Sequence, residues 1–145
     1  MLLIRNFRKK DLQQVTDIIA REFNRNYNPD FYLSLYERWN NGFLIAEDER
    51  GVVGVLVAML SQPKESRILL MAVKPEFRGR RIGAMMLSEL VSRCIQVNLM
   101  AVTLEVRISN KKAISFYNTH GFTIKTIISN YYEDGEAGYL MKKVL

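Results

Sequence analysis

The stretch from Ile68 to Val97 constrains this chain more than any other. An apolar run, Ile68 to Val73, passes through Lys74-Pro75-Glu76-Phe77 into Arg78-Gly79-Arg80-Arg81-Ile82-Gly83. A run of that length bounded by turn residues reads as a buried strand. Beyond the turn, Leu87, Leu90, Val91 and Cys94 recur at i, i+3, i+4 and i+7, the stripe of an amphipathic helix from about Ile82 to Val97. Cys94 reads as a small core residue on that stripe. Val102 to Val106 is strand-like again, which makes the whole a strand–helix–strand crossover.

The turn is where chemistry concentrates. A turn entering a helix offers backbone N–H groups without intrahelical acceptors, and the helix dipole favours an anion there. Glycine lets the backbone approach a phosphate, and arginine adds charge and a two-pronged donor. In physical terms this is a cradle for a pyrophosphate; a glycine turn kept for packing alone is the alternative.

Around this unit, Leu2 to Phe7 reads as a first strand. Asp11 with Gln14 three residues on reads as a capping box, opening a helix with Leu12, Val15, Ile18, Ile19 and Phe23 at helical spacing. Asn28-Pro29 starts a second helix, to about Trp39. Phe43 to Glu47 and Val52 to Leu60 flank a turn at 48–51, an antiparallel hairpin. Asn110 caps a short helix that ends at His120-Gly121, where His120 reads as a capping or surface histidine. Phe122 to Ile128 and Gly138 to Leu145 close the chain as strands. The order predicts a mixed α/β sheet with helices on both faces.

Without repeats or a linker, 145 residues suit one domain. The lone Cys94 excludes an internal disulfide, and one histidine with one cysteine argues against a closed zinc site, so no metal is expected. No signal peptide or membrane span is legible, and a cytoplasmic location is expected. The net charge of +6 raises nucleic acid as a partner, but the basic residues are scattered except for Arg78, Arg80 and Arg81, which argues against it.

Met71-Ala72-Val73-Lys74-Pro75 followed by Arg78 to Ala84 resembles the acetyl-coenzyme A signature of the GNAT acetyltransferases. Leu104 to Asn110, then Ala113, Phe116, Tyr117, Gly121 and Phe122, resembles that family's second coenzyme-binding segment. Asn130 to Glu136 resembles the subgroup that acetylates protein N-termini, the RimI-like enzymes and the catalytic subunits of ribosome-associated acetyltransferases. The resemblance covers nearly the whole chain. It implies a mixed, mostly antiparallel seven-stranded sheet with about four helices, and acetyl-CoA as cosubstrate. It also implies protein or peptide N-termini as acceptors, ribosomal or nascent chains among them, and an auxiliary subunit as a candidate partner.

The roles it implies are specific. Met71, Ala72 and Val73 would line the acetyl and pantetheine arm. Arg78, Gly79, Arg80, Arg81, Ile82, Gly83 and Ala84 would bind the pyrophosphate. Asn110 would contact the coenzyme, Tyr117 would protonate the departing thiolate, and Glu105 would act as base on the amine. Arg25, Asn26 and Tyr27, with Tyr131 and Tyr132, would hold the peptide. Three departures from the family pattern stand out: Arg81 replaces a first glycine, Arg25 replaces a glutamate, and Ala137 replaces an acidic residue.

Elementary chemistry agrees with these roles. An ammonium must lose a proton before attacking a thioester, so a carboxylate at a strand end is useful, directly or through water. An α-amine titrates near ~7.7–8.0 and lysine near ~10.4, a difference of roughly 3.4 kcal/mol in deprotonation that favours an N-terminus as acceptor. Structural readings remain open beside the functional ones: Glu105 as a solvated strand residue, Tyr117 as a packing aromatic, Asn110 as a cap alone, and Tyr131 and Tyr132 as strand-edge aromatics. Acetylation of lysine, or of a small amine such as a polyamine or antibiotic, is the alternative activity. A non-catalytic module that binds coenzyme or RNA is the alternative of another class.

Overall fold

A computed structural model describes residues 1–24 and 27–145. The strands are β1 (Leu3–Asn6), β2 (Phe43–Asp48), β3 (Gly51–Gln62), β4 (Glu65–Val73), β5 (Ala101–Arg107), β6 (Thr123–Ile128) and β7 (Gly138–Val144). The helices are α1 (Leu12–Phe23), α2 (Pro29–Arg38), α3 (Ile82–Gln96) and α4 (Lys111–Thr119). They alternate in the order that the periodicities predict, with boundaries shifted by a few residues. The seven strands form one sheet in the order β1-β2-β3-β4-β5-β7-β6. Neighbours run antiparallel except β4 and β5, which the α3 crossover makes parallel.

Each face of the sheet carries its own core. On β2, Leu44 and Ala46 turn to one side, where α3 packs with Ile82, Met86, Leu87, Leu90 and Cys94. Phe43 and Ile45 turn to the other, against Val15, Ile18 and Ile19 of α1 and Tyr32 and Leu35 of α2. This two-sided cover explains why β3 reads as a continuous apolar run rather than an alternation. Each such side chain contributes about 1.5–3 kcal/mol by leaving water. Gly54 permits a close approach between α3 and the sheet, since a Cβ there would lie 3.2 Å from Met86 Cε and 3.3 Å from the Ala72 carbonyl.

The start of α1 differs from the predicted capping box. Asp11 is buried in the helical region of the backbone (φ −84°, ψ −8°) and makes no side-chain cap. Its carboxylate instead accepts both Arg5 Nη atoms at 2.8 Å and the Arg8 N–H at 2.7 Å. Burial works to raise its carboxyl pKa, but the Arg5 fork and the Arg8 N–H outweigh that and hold it below the usual range. Gln14 Oε1 accepts from Val52 N–H at 3.0 Å and so ties α1 to β3. The other caps form as read: Asn28 accepts from Asp30 N–H and Asn110 from Ala113 N–H.

Candidate active site

β4 and β5 are joined at only one end. Their ladder comprises Glu65–Ala101, Ser66–Val102 and Arg67–Thr103, although β4 continues to Val73 and β5 to Arg107. Past Arg67 the strands part, and a strand edge without a partner exposes main-chain donors and acceptors. Two concavities flank this fork. A groove of about 500 Å³ runs between the turn before α3 and the start of α4. A cleft of about 540 Å³ lies over the diverging strands. They share Glu22, Met71, Asn110, Ala113 and Tyr117, so the two spaces meet at these side chains.

At the groove's turn end, Gly79 (φ +79°) and Arg81 (φ +62°, ψ +22°) both occupy the left-handed region. Arginine thus keeps the backbone conformation that a glycine would adopt more cheaply. The first bond of α3 is donated by Met85 N–H to the Arg81 carbonyl, which leaves Ile82, Gly83 and Ala84 N–H without intrahelical acceptors. A Cβ on Gly83 would point across the groove, to within 3.7 Å of Phe116 and 3.8 Å of Met71. The lining changes character along its length. Arg78, Arg81 and Lys112 make one part basic, while Met71, Ala72, Val73, Phe116 and Tyr117 make another largely apolar. A basic, N–H-rich turn continuous with an apolar channel fits acetyl-coenzyme A, which carries phosphates toward one end and the pantetheine thioester at the other.

Two of the three clustered arginines have protein partners. Arg78 Nη2 pairs with Glu22 of α1. The Arg80 guanidinium lies 5.0 Å from the Phe77 ring centroid, outside the groove lining, with Arg50 also over that ring at 4.3 Å.

Tyr117 sits where groove and cleft meet. Its ring packs edge-on against Phe116 and Phe122, and among the described residues its hydroxyl has no hydrogen-bond partner. Burial pushes its phenol up to about 12. Asn110 lines both spaces while its Oδ1 caps α4 at 3.1 Å, so cap and site positions coincide. His120 Nδ1 lies 2.8 Å from the Phe116 carbonyl at the end of α4, outside the lining of either space.

Glu105 faces the cleft from β5 in a three-membered cluster. Its Oε1 accepts hydrogen bonds from Arg67 Nε at 2.8 Å and the Tyr131 hydroxyl at 3.3 Å, and Arg67 Nη2 lies 2.7 Å away as an ion-pair contact. Arg67 Nη2 also donates to the Tyr131 oxygen at 3.1 Å. Burial lowers the Arg67 pKa, and the bonds and field of Glu105 more than reverse this. Burial is likewise the largest cause raising Tyr131 and Tyr132 above the usual phenol value.

Two residues further along β5, Arg107 organises the loop between β6 and β7. Its Nη1 binds Asp134 at 2.8 Å and Glu136 at 2.9 Å, and its guanidinium lies 4.2 Å from the Tyr132 ring centroid. Glu136 also accepts from Ser109 N–H at 3.0 Å. Tyr132 and Tyr27 both line the cleft, whereas Tyr131 reaches it through Glu105. Arg25 and Asn26 lie outside the described residues.

Arg67, Arg107, Glu136 and Glu22 are site neighbours to which the sequence reading gave no role of their own. The one available signal was spacing: Glu105 and Arg107 stand two apart on a strand and must share a face, opposite an acidic loop. Among the described residues no group of three or more His, Cys, Asp or Glu could hold a metal ion, and no helix is long and apolar enough to cross a membrane.

Comparison with known proteins converges on one family. The model of the acetyltransferase (GNAT) family matches residues 12–122. An uncharacterized N-acetyltransferase of Methanocaldococcus jannaschii is 34% identical over 143 residues, covering 98% of this chain and 91% of its own. An N-alpha-acetyltransferase of Sulfurisphaera tokodaii is 30% identical over 150 residues, covering 95% and 90%. The crystal structure of Ard1 from Thermoplasma volcanium superposes with a TM-score of 0.93 at 33% identity, covering 99% of this chain and 97% of that one. The forked sheet, the glycine–arginine turn and these likenesses agree: the chain belongs to the GNAT family, as an acetyl-coenzyme A-dependent N-acetyltransferase.

Proposed function

We propose that this enzyme, acting as one domain over residues 1–145, acetylates the α-amino group of protein and peptide N-termini, those of ribosomal or nascent chains among them. The observation that carries the reading is the meeting of coenzyme groove and acceptor cleft at Tyr117, with Glu105 on the cleft's wall. The relative from Sulfurisphaera tokodaii is named for the same acceptor group.

Acetyl-CoA supplies an electrophilic thioester carbonyl. The unpaired N–H groups at the head of α3, with Arg78 and Arg81, hold its phosphates, and Met71, Ala72 and Val73 line the arm. Arg80 contributes positive charge from its seat on Phe77, and Asn110 contacts the coenzyme from the head of α4. Tyr27 and Tyr132 border the entering peptide from opposite elements, and Tyr131 closes over Glu105. We assign Arg25 and Asn26, which precede Tyr27 in the sequence, to peptide binding as well.

Glu105 accepts the proton of the entering ammonium, directly or through a water. The freed amine forms the new N–C bond as the C–S bond breaks, and the nitrogen sheds its second proton to solvent as the neutral amide forms. Tyr117 donates its proton to the departing sulfur and regains one from solvent. Positioning both reactants in adjoining spaces turns a bimolecular encounter into a local one. A single carboxylate suffices for an α-amine, whose ammonium releases its proton roughly 2.5 pH units below that of lysine.

The test is incubation with acetyl-CoA and paired peptides, with free or blocked N-termini and with or without an internal lysine, plus spermidine. Thiol release and peptide mass are followed together. Modification confined to free N-termini is expected. Acetylation of blocked lysine peptides or of spermidine would reassign the acceptor.

A further inference from the structure

We propose that Arg67 is the positioning residue of the acceptor site, fixing one oxygen of Glu105 and the hydroxyl of Tyr131 while leaving the second carboxylate oxygen open to the cleft. The proposal rests on the reading of Glu105 as the base.

Arg67 occupies the last paired position of the β4–β5 ladder, opposite Thr103. From there its side chain spans the opening fork and reaches Glu105, two residues beyond Thr103 on β5. Two donors converge on Glu105 Oε1, Arg67 Nε at 2.8 Å and the Tyr131 hydroxyl at 3.3 Å, and Arg67 Nη2 adds an ion-pair contact at 2.7 Å. Among the described residues Glu105 Oε2 receives none. Nor is Oε2 buried without a partner: the only described side-chain polar atom in that condition is Ser66 Oγ. The carboxylate is therefore clamped through one oxygen and solvent-accessible through the other.

Stability is a poor explanation for this arrangement. The Arg67 side chain is 35% exposed and that of Glu105 13%, and a pair at this depth gives back in desolvation much of what it gains in attraction, so it adds little to folding. A guanidinium is well suited to the alternative, because its planar fork fixes direction as well as distance. Tyr131 joins the same fork at 3.1 Å, so the β6–β7 loop is seated on the cluster that orients the carboxylate.

The test is a double-mutant cycle on the acceptor that the wild type acetylates best, whatever its class, with coenzyme binding followed by calorimetry. R67M is expected to lower kcat/KM for the acceptor roughly 10–100-fold, as a small misplacement of a catalytic group does, with acetyl-CoA affinity held within about twofold. R67K should recover part of the loss, since an ammonium can meet one partner but cannot grip both. In an E105Q background R67M should cost nothing further, because Arg67 acts through Glu105. Multiplying losses would overturn the positioning role while leaving Glu105 in place. Undiminished activity in R67M, or a loss shared by coenzyme binding, would overturn it as well. Full activity in E105Q alone would remove the base itself, and this proposal with it. Should R67M fail to fold, R67K closes the same cycle against E105Q, and a partial loss that disappears in the double variant is the supporting result.

Discussion

The Tyr117 ring meets Phe122 edge-on, with centroids 5.5 Å apart and planes at 68°. Phe122 is buried, and Phe116 also packs edge-on against the tyrosine at 5.2 Å. Two aromatic neighbours therefore fix the ring, while the hydroxyl, without a partner among the described residues, opens where groove and cleft join. A packing aromatic and a proton donor are the same residue here, one role belonging to the ring and the other to the oxygen.

Tyr117→Phe keeps both edge contacts and removes only the oxygen. Turnover should fall on the order of 100-fold, the lower range for loss of a general acid, with little change in melting temperature or acetyl-CoA affinity. The pH profile carries the sign. Burial raises the phenol to about 12, so the proton-bearing form persists as pH rises and is lost only near that value. Activity on peptides should therefore rise through the α-amine pKa of about 7.7–8.0 and stay level to about pH 10. An alkaline fall near pH 9 that disappears in Tyr117→Phe would contradict the buried, protonated phenol.

Arg81→Gly separates conformation from charge in the phosphate turn. Arg81 sits at φ +62°, where a side chain is strained by about 1 kcal/mol relative to glycine. Glycine relieves that strain but gains freedom in the unfolded chain, and the two effects oppose each other. Folding stability should thus hold within about 1 kcal/mol. Coenzyme affinity should weaken severalfold, and its dependence on salt should decrease, because one cation leaves the groove. Calorimetric titration at two ionic strengths checks both. A large stability loss with unchanged affinity would make Arg81 a structural residue.

Legibility in the sequence followed the range of each interaction. The β2–β3 hairpin, the α3 stripe, the caps at Asn28 and Asn110 and the glycine–arginine turn are all encoded within a few neighbouring residues, and all form. Asp11 misled because Asp-x-x-Gln satisfies a local capping pattern, whereas Arg5 outcompetes it through a bidentate buried pair. The clamp on Glu105 joins residues 38 apart, and Arg107 reaches 27 and 29 positions along the chain. No local periodicity reports such contacts. The fork is equally silent, since β4 and β5 read as ordinary apolar strands and nothing in either marks where pairing ends. Arg80 is equivalent to its neighbours in sequence, and only the fold brings the Phe77 ring beneath its guanidinium.

Arg107→Ala should loosen the loop that borders the acceptor without touching the coenzyme side. It removes the ion pairs to Asp134 and Glu136 and the cation stacked on Tyr132, whose ring lines the cleft. The pairs are screened by solvent and add little to folding, so the fold should survive. What the variant loses is preorganisation: Tyr132 must then be ordered by the arriving peptide, at a cost taken from binding. KM for the peptide should therefore rise by about tenfold, acetyl-CoA affinity should stay constant, and residues 129–137 should become more open to proteolysis. Glu136 adds a second consequence, since its carboxylate also holds Ser109 N–H just before the Asn110 cap. With Arg107 gone, that bond and the one from Ile108 N–H to the Ala137 carbonyl remain to tie the loop to the segment before α4. A raised KM with a protected loop would place the effect in direct contact between Arg107 and the peptide; an unchanged KM would show that the loop holds its shape without the arginine.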